Sequence, residues 1–115
     1  MIDQVLKITM LYDFYGAILT NHQQKCIEMH YLDDLSLSET AEHFSVSRQA
    51  VHDILKRSVQ TLQEAEDKLG FVKRYQKEQL ILSDLRLLVQ ALMVNNASLK
   101  SELDDIDEKL KTLMV

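Results

Sequence analysis

Ser36-Leu37-Ser38-Glu39-Thr40-Ala41-Glu42-His43-Phe44-Ser45-Val46-Ser47-Arg48-Gln49-Ala50-Val51-His52-Asp53-Ile54-Leu55-Lys56-Arg57-Ser58 reads as two short helices joined by a tight turn. Ser36 is placed to cap the first helix, and Glu39, three residues on, closes a capping box. Ala41 is small where a second helix crosses closely. Phe44, Val46, Val51 and Ile54 supply apolar contacts between the two helices. Ser47 caps the second helix, with Val46 and Val51 spaced as a hydrophobic staple. This is the pattern of a helix-turn-helix, which offers the start of its second helix to a DNA major groove.

With Val51, Ile54 and Leu55 turned inward, the second helix presents Arg48, Gln49, His52, Asp53, Lys56 and Arg57 outward. Arg48 suits a bidentate pair with guanine and Gln49 one with adenine, with His52 beside them. Lys56 and Arg57 stand a turn or two later, where phosphates run, and Ser47 can serve as both cap and phosphate donor. Charge speaks against strong binding. The chain carries 13 Lys and Arg against 18 Asp and Glu, a net of −5. Phosphate neutralisation supplies most non-specific affinity, so binding should be modest and salt-sensitive. A basic cluster, Lys68, Lys73, Arg74 and Lys77, reads as a solvated helix face or as an auxiliary phosphate or RNA contact.

Outward from the motif, 115 residues suit one domain. There is no Pro, glycine stands only at 16 and 70, and the apolar residues recur in helical order. The chain therefore reads as an all-α protein. A first helix over about 2–18, with Ile2, Val5, Leu6, Ile8, Leu11, Tyr12, Phe14, Tyr15 and Ile18, is apolar nearly all round and calls for cover on more than one side. Thr20 and Gln23 are spaced as a capping box for a second helix that ends before the Asp33-Asp34 turn. The helix begun at Ser47 runs on through Leu62 and Ala65 to Leu69, with Gly70 as terminator, and its distal part is expected to pack on the C-terminal region. A fifth helix spans about 72–95, with Asn95-Asn96 breaking it. A last one carries Leu99, Leu103, Ile106, Leu110 and Leu113 in a four-three repeat, either packed within the monomer or forming a dimer interface. The dimer is the favoured of the two.

Other chemistry finds little support. His22, Cys26 and His30 share a helix face, yet His22 and His30 stand about 12 Å apart along the axis, too far for one metal ion. No metal or cofactor site is expected. The pairs Asp33-Asp34 and Asp104-Asp105 mark a turn and a solvated face rather than an acid–base couple. No glycine-rich phosphate loop or nucleophile elbow is present, so no catalytic residue and no enzyme is expected. No apolar run approaches a membrane span, the N-terminus has no signal-peptide pattern, and a lone cysteine suits a reducing cytoplasm.

Residues Leu19–Leu32, followed by Asp33–Glu42, resemble region 4 of bacterial RNA polymerase sigma factors. The chain as a whole is more similar to the YlxM-type helix-turn-helix proteins, encoded beside the signal recognition particle GTPase. Tyr12-Asp13-Phe14-Tyr15, Tyr31–Leu37 and Val46-Ser47-Arg48-Gln49-Ala50-Val51 carry that likeness, which covers most of residues 5–69. Serine 45 departs from the glycine common at the turn of such motifs. The resemblance implies a regulatory role connected with the signal recognition particle pathway, with the particle's components as partners.

The reading is thus an all-α, sigma region 4-like helix-turn-helix bundle with a C-terminal helical extension. Residues 1–115 form one domain, with a helix-turn-helix core over 20–58 and an extension over 59–115 that dimerises. Its expected function is that of a cytoplasmic DNA-binding regulator. A protein or RNA interaction module of the signal recognition particle machinery that does not read bases stands as the alternative. A ligand- or polymerase-binding relative of sigma region 4 stands third.

Overall fold

The structure, a computed structural model, describes residues 2–114, the Ile2 side chain lying outside that description. Every regular element among the described residues is helical: α1 (Ile2–Tyr15), α2 (Asn21–Ile27), α3 (Leu37–Phe44), α4 (Arg48–Leu69), α5 (Phe71–Asn95) and α6 (Lys100–Leu113). Shorter 3-10 turns occupy Gly16–Ile18 and Ala97–Leu99, and a π turn occupies Glu28–Leu32. The chain divides into two compact units, residues 1–72 and 73–115.

In the first unit α4 is the spine against which α1, α2 and α3 all pack. Its residues Val51, Leu55 and Leu62 are buried in one core with Leu11, Tyr15, Leu19, Cys26, Ile27 and Ala41. Full burial of an aliphatic side chain such as Leu11 or Leu62 is worth about 1.5–3 kcal/mol. The sequence reading sends the distal half of α4 to the C-terminal region. Within this unit α1 meets it, with Leu62 beside Leu11 in the core and Glu66 hydrogen-bonded to Tyr15.

The first helix ends earlier than its apolar run. Tyr15 leaves the helical region, and Gly16 opens a 3-10 turn. A Cβ on Gly16 would stand 2.8 Å from the Tyr12 ring, which would have to shift to admit one. The first apolar run is also less covered than its pattern demands, since Leu6 of α1 and Ile18 of the 3-10 turn remain about 60% exposed (62% and 58%). The second helix starts as read, with the Thr20–Gln23 capping box complete in both directions. It then widens into the π turn, closed by the Asp33 N–H donating to Glu28 O at 2.8 Å, before Asp34 turns the chain at φ 58°.

In the second unit, α5 and α6 are tied at two points. The Arg86 guanidinium grips Asp107 through two hydrogen bonds of 2.9 and 3.3 Å, and Gln79 donates to Leu113 O. Asp107 is buried, on the same side of α6 as Leu103 and half-buried Leu110. Of the four-three repeat, Leu99, Ile106 and Leu113 are exposed, and an acid joins Leu103 and Leu110 in the inner row. On α5 the half-buried row is Tyr75, Gln79, Leu82, Arg86, Val89 and Met93. A second row at the same spacing, Ile81, Leu85, Leu88 and Leu92, stays exposed.

Candidate nucleic-acid interface

The local chemistry of residues 36–58 produces the two helices where the sequence places them. Ser36 Oγ accepts from the Glu39 N–H, and the Glu39 carboxylate accepts from the Ser36 N–H, each at 3.0 Å. Those bonds to Ser36 hold the Glu39 carboxyl below its ordinary range. Thr40 and Ala41 are buried in the crossing with α4. The turn is made by Ser45 in the left-handed region, φ 55° and ψ 42°, a conformation that costs a side-chain-bearing residue about 1–2 kcal/mol. Ser47 then accepts the Ala50 N–H at 3.0 Å and starts α4. Phe44 and Ile54 are half-buried against the core, as their spacing suggests. Val46, the residue before the cap, is 38% exposed.

All six residues expected to form the interface, Ser47, Arg48, Gln49, His52, Lys56 and Arg57, are exposed. From Arg48 to Lys56 they span about 12 Å of helix, the length of a recognition surface. Among the described residues, the charged groups of Arg48, Lys56 and Arg57 carry no ion pair. Gln49 is engaged: its amide donates to Asp53 Oδ1 at 3.1 Å, and the same oxygen stands 3.6 Å from His52 Nδ1. The outward face is therefore mixed, with one carboxylate among its bases, and Asp53 competes with any base edge for Gln49.

The surrounding charge is acidic. Residues 1–72 hold six Lys and Arg against eleven Asp and Glu, so this unit carries the whole −5, while residues 73–115 balance at seven against seven. The basic residues Lys73, Arg74 and Lys77 are exposed at the start of α5, where Arg74 pairs with Glu78 at 3.0 Å.

Beside the inner part of the outward face lies a cleft of about 310 Å³. It is lined by Gln4 and Ile8 of α1, His30 and Tyr31 of the π turn, Leu37 of α3, and His52, Leu55, Lys56 and Val59 of α4. Nothing in the periodicity announces it, because it depends on the π turn displacing residues 30 and 31 from straight-helix positions. His30 Nδ1 lies 2.7 Å from Leu35 O, so that nitrogen carries the proton. His22, Cys26 and His30 go separate ways: His22 rests on the Phe44 ring, and Cys26 is fully buried, its thiol pushed up by that burial. Among the described residues no three metal-ligating side chains come together.

The family model UPF0122, described as "Putative helix-turn-helix protein, YlxM / p13 like", matches residues 2–111. The chain belongs to this family. It is 37% identical to a UPF0122 protein of Listeria welshimeri over 113 residues, covering 98% of this chain and 99% of that one. A UPF0122 protein of Halalkalibacterium halodurans is 41% identical over 109 residues, 93% of this chain and all of its own. One from Desulforamulus reducens is 54% identical over 72 residues, 63% and 62% of the two chains. The family is described by its helix-turn-helix and not by a reaction. Among the described residues no helix is long and apolar enough to cross a membrane.

Proposed function

We propose that this chain is a DNA-binding regulator that inserts the start of α4 in the major groove. The observation that carries the reading is the exposure of Arg48, Gln49, His52, Lys56 and Arg57 on a helix seated by a capped helix-turn-helix. Arg48 and Gln49 are the base-reading residues, with His52 beside them, while Lys56, Arg57 and Ser47 hold phosphates. The likeness to sigma region 4 and to YlxM-type proteins supports a regulatory role in the signal recognition particle pathway, exercised in the cytoplasm.

The regulator acts as a homodimer. The row Ile81, Leu85, Leu88 and Leu92 repeats at four, three and four residues, each member 42–63% exposed. A second copy of α5 laid along it would remove that row from water. Dimeric helix-turn-helix proteins read two half-sites spaced by whole turns of DNA.

Selection of bound sequences from random duplexes at low salt tests this reading. An enriched, two-fold symmetric sequence is the expected result. Folded protein that enriches nothing would retire it. Light scattering checks the dimer separately, and a monomer mass at high concentration would end that part.

A second reading draws on the acidic balance of residues 1–72 and the exposed Lys73, Arg74 and Lys77. Here the chain is an interaction module of the signal recognition particle machinery that captures RNA or protein without reading bases. Substitution of those three residues would then abolish capture, while Arg48→Ala would leave it intact.

A further inference from the structure

We propose that the cleft beside α4 binds a small organic monoanion, an apolar body ending in a carboxylate, and that its occupation withdraws His52 and Lys56 from DNA. The first half stands by itself; the second rests on the DNA-reading function proposed above.

Three observations define the ligand. The volume, about 310 Å³, sits at the lower end of small-molecule sites and suits a compact ligand. The floor is apolar, with Ile8 and Leu55 almost fully buried and Leu37 and Val59 half-buried beside them. The polar groups around it are one-sided. Lys56 contributes an ammonium group, with the imidazole rings of His30 and His52 beside it. No carboxylate lines the cleft, although acids outnumber bases eleven to six in residues 1–72.

The π turn supplies the fourth argument. Single π turns in α-helices are frequent at functional sites. Here it places His30 and Tyr31 on the cleft, and the bond from His30 Nδ1–H to Leu35 O fixes the ring, making Nε2 the nitrogen a ligand meets. A carboxylate paired with Lys56, with His30 and His52 beside it, would leave its apolar body over Ile8, Leu55 and Val59. A multiply charged phosphate fits less well, because it brings more charge into a unit that is already at −5 and finds no use for the apolar floor.

Because His52 and Lys56 lie both on the outward face of α4 and on the cleft, one group cannot serve ligand and DNA together. A ligand there lowers DNA affinity by the same factor that DNA lowers ligand affinity.

The test uses the full chain and octanoate as probe, followed by amide and imidazole NMR shifts. Saturable binding of one octanoate per chain, with shifts centred on His30, Tyr31, Leu55 and Val59, is expected. Acetate, which lacks the body, and octanol, which lacks the charge, should each bind at least about tenfold more weakly. Val59→Trp fills the cleft and should abolish the shifts. If that variant proves poorly folded by circular dichroism, Lys56→Gln serves instead, weakening octanoate at least about tenfold while leaving octanol unchanged. Shifts centred elsewhere, no saturation in the millimolar range, or undiminished binding in the folded variants would overturn the site. Release of bound DNA by octanoate is a separate readout. If the chain binds no DNA, the regulatory half falls while the NMR result still decides the site.

Discussion

The Tyr15 hydroxyl donates to Glu66 Oε1 at 2.5 Å, joining the end of α1 to the last turns of α4 across 51 residues of sequence. The same phenol oxygen accepts the Phe71 N–H, and Glu66 Oε1 accepts the Val72 N–H, each at 3.0 Å. Two of the amides that α5 leaves free at its start are thus capped by side chains from α1 and α4. Gly70, at φ 65°, ends α4.

Tyr15→Phe removes one of those caps and takes the phenol donor from Glu66, which keeps the Val72 N–H. Faster amide hydrogen exchange at Phe71 and a lower thermal midpoint are expected. Unchanged exchange at Phe71 would show that the bond does not protect that amide.

Three tyrosines make the first unit sensitive to alkali. Burial, and then the Glu28 carboxylate, push Tyr12 up to about 12. Burial and Glu66 raise Tyr15, and burial raises Tyr31. Each of these groups has a folded value above its unfolded one. Their contribution to stability is therefore complete below pH 10, the ordinary tyrosine value, and is lost as pH climbs from there toward about 12. A urea midpoint falling over that window, with late tyrosinate absorbance, is expected. Titration of every tyrosine at the ordinary value would contradict the burial described.

The turn of the helix-turn-helix can be improved. Ser45→Gly relieves the left-handed strain and should stabilise the chain by about 0.5–1 kcal/mol, offset in part by unfolded-state entropy. Ser47→Ala should do the reverse, costing about 1 kcal/mol through the lost cap of α4. Chemical denaturation reads both, and a loss of stability in Ser45→Gly would count against the turn geometry.

On the outward face, Arg48→Ala should lose about 1–3 kcal/mol of discrimination at one or two base pairs. Lys56→Ala should weaken all sequences alike and lower the salt slope by about one unit. Asp53→Asn should strengthen binding, because it removes the one carboxylate from that face and loosens its hold on Gln49. Titration of a selected duplex at several salt concentrations separates the three effects. Weaker binding by Asp53→Asn would assign Asp53 a positive role in base reading.

The second unit should respond to acid. The hydrogen bonds from Arg86 are the main reason the Asp107 carboxyl lies below the ordinary aspartate value of 3.8. Its stabilising contribution is present above that value and is lost as pH falls through the lower folded value. Asp107→Asn should flatten the pH dependence of unfolding in this range. A slope unchanged by that substitution would remove the pair as its cause.

Much of the fold was legible because its determinants are local. Ser36 with Glu39, Thr20 with Gln23, Ser47, Gly70 and Asn95-Asn96 set helix ends through bonds or dihedral limits a few residues long, so spacing alone reveals them. The outward set from Ser47 to Arg57 followed from helical period once Val51 and Leu55 were turned inward. The cleft was not legible, since it needs a π turn that no spacing signals. Nor was the engagement of Gln49 by Asp53, which depends on side-chain rotamers rather than on face alone.

By itself the sequence determined the all-α class, most helix ends and the capped helix-turn-helix with its exposed basic residues. Tertiary structure alone decided which rows are buried. On α5 two rows share the same four-three spacing, and the one holding Leu82, Arg86 and Val89 turned inward while Ile81, Leu85, Leu88 and Leu92 stayed exposed. On α6 the acid Asp107 entered the inner row because Arg86 stood there to pair with it. Periodicity reports that a stripe exists, but burial is a property of two surfaces, and the partner surface is known only when the chain has folded.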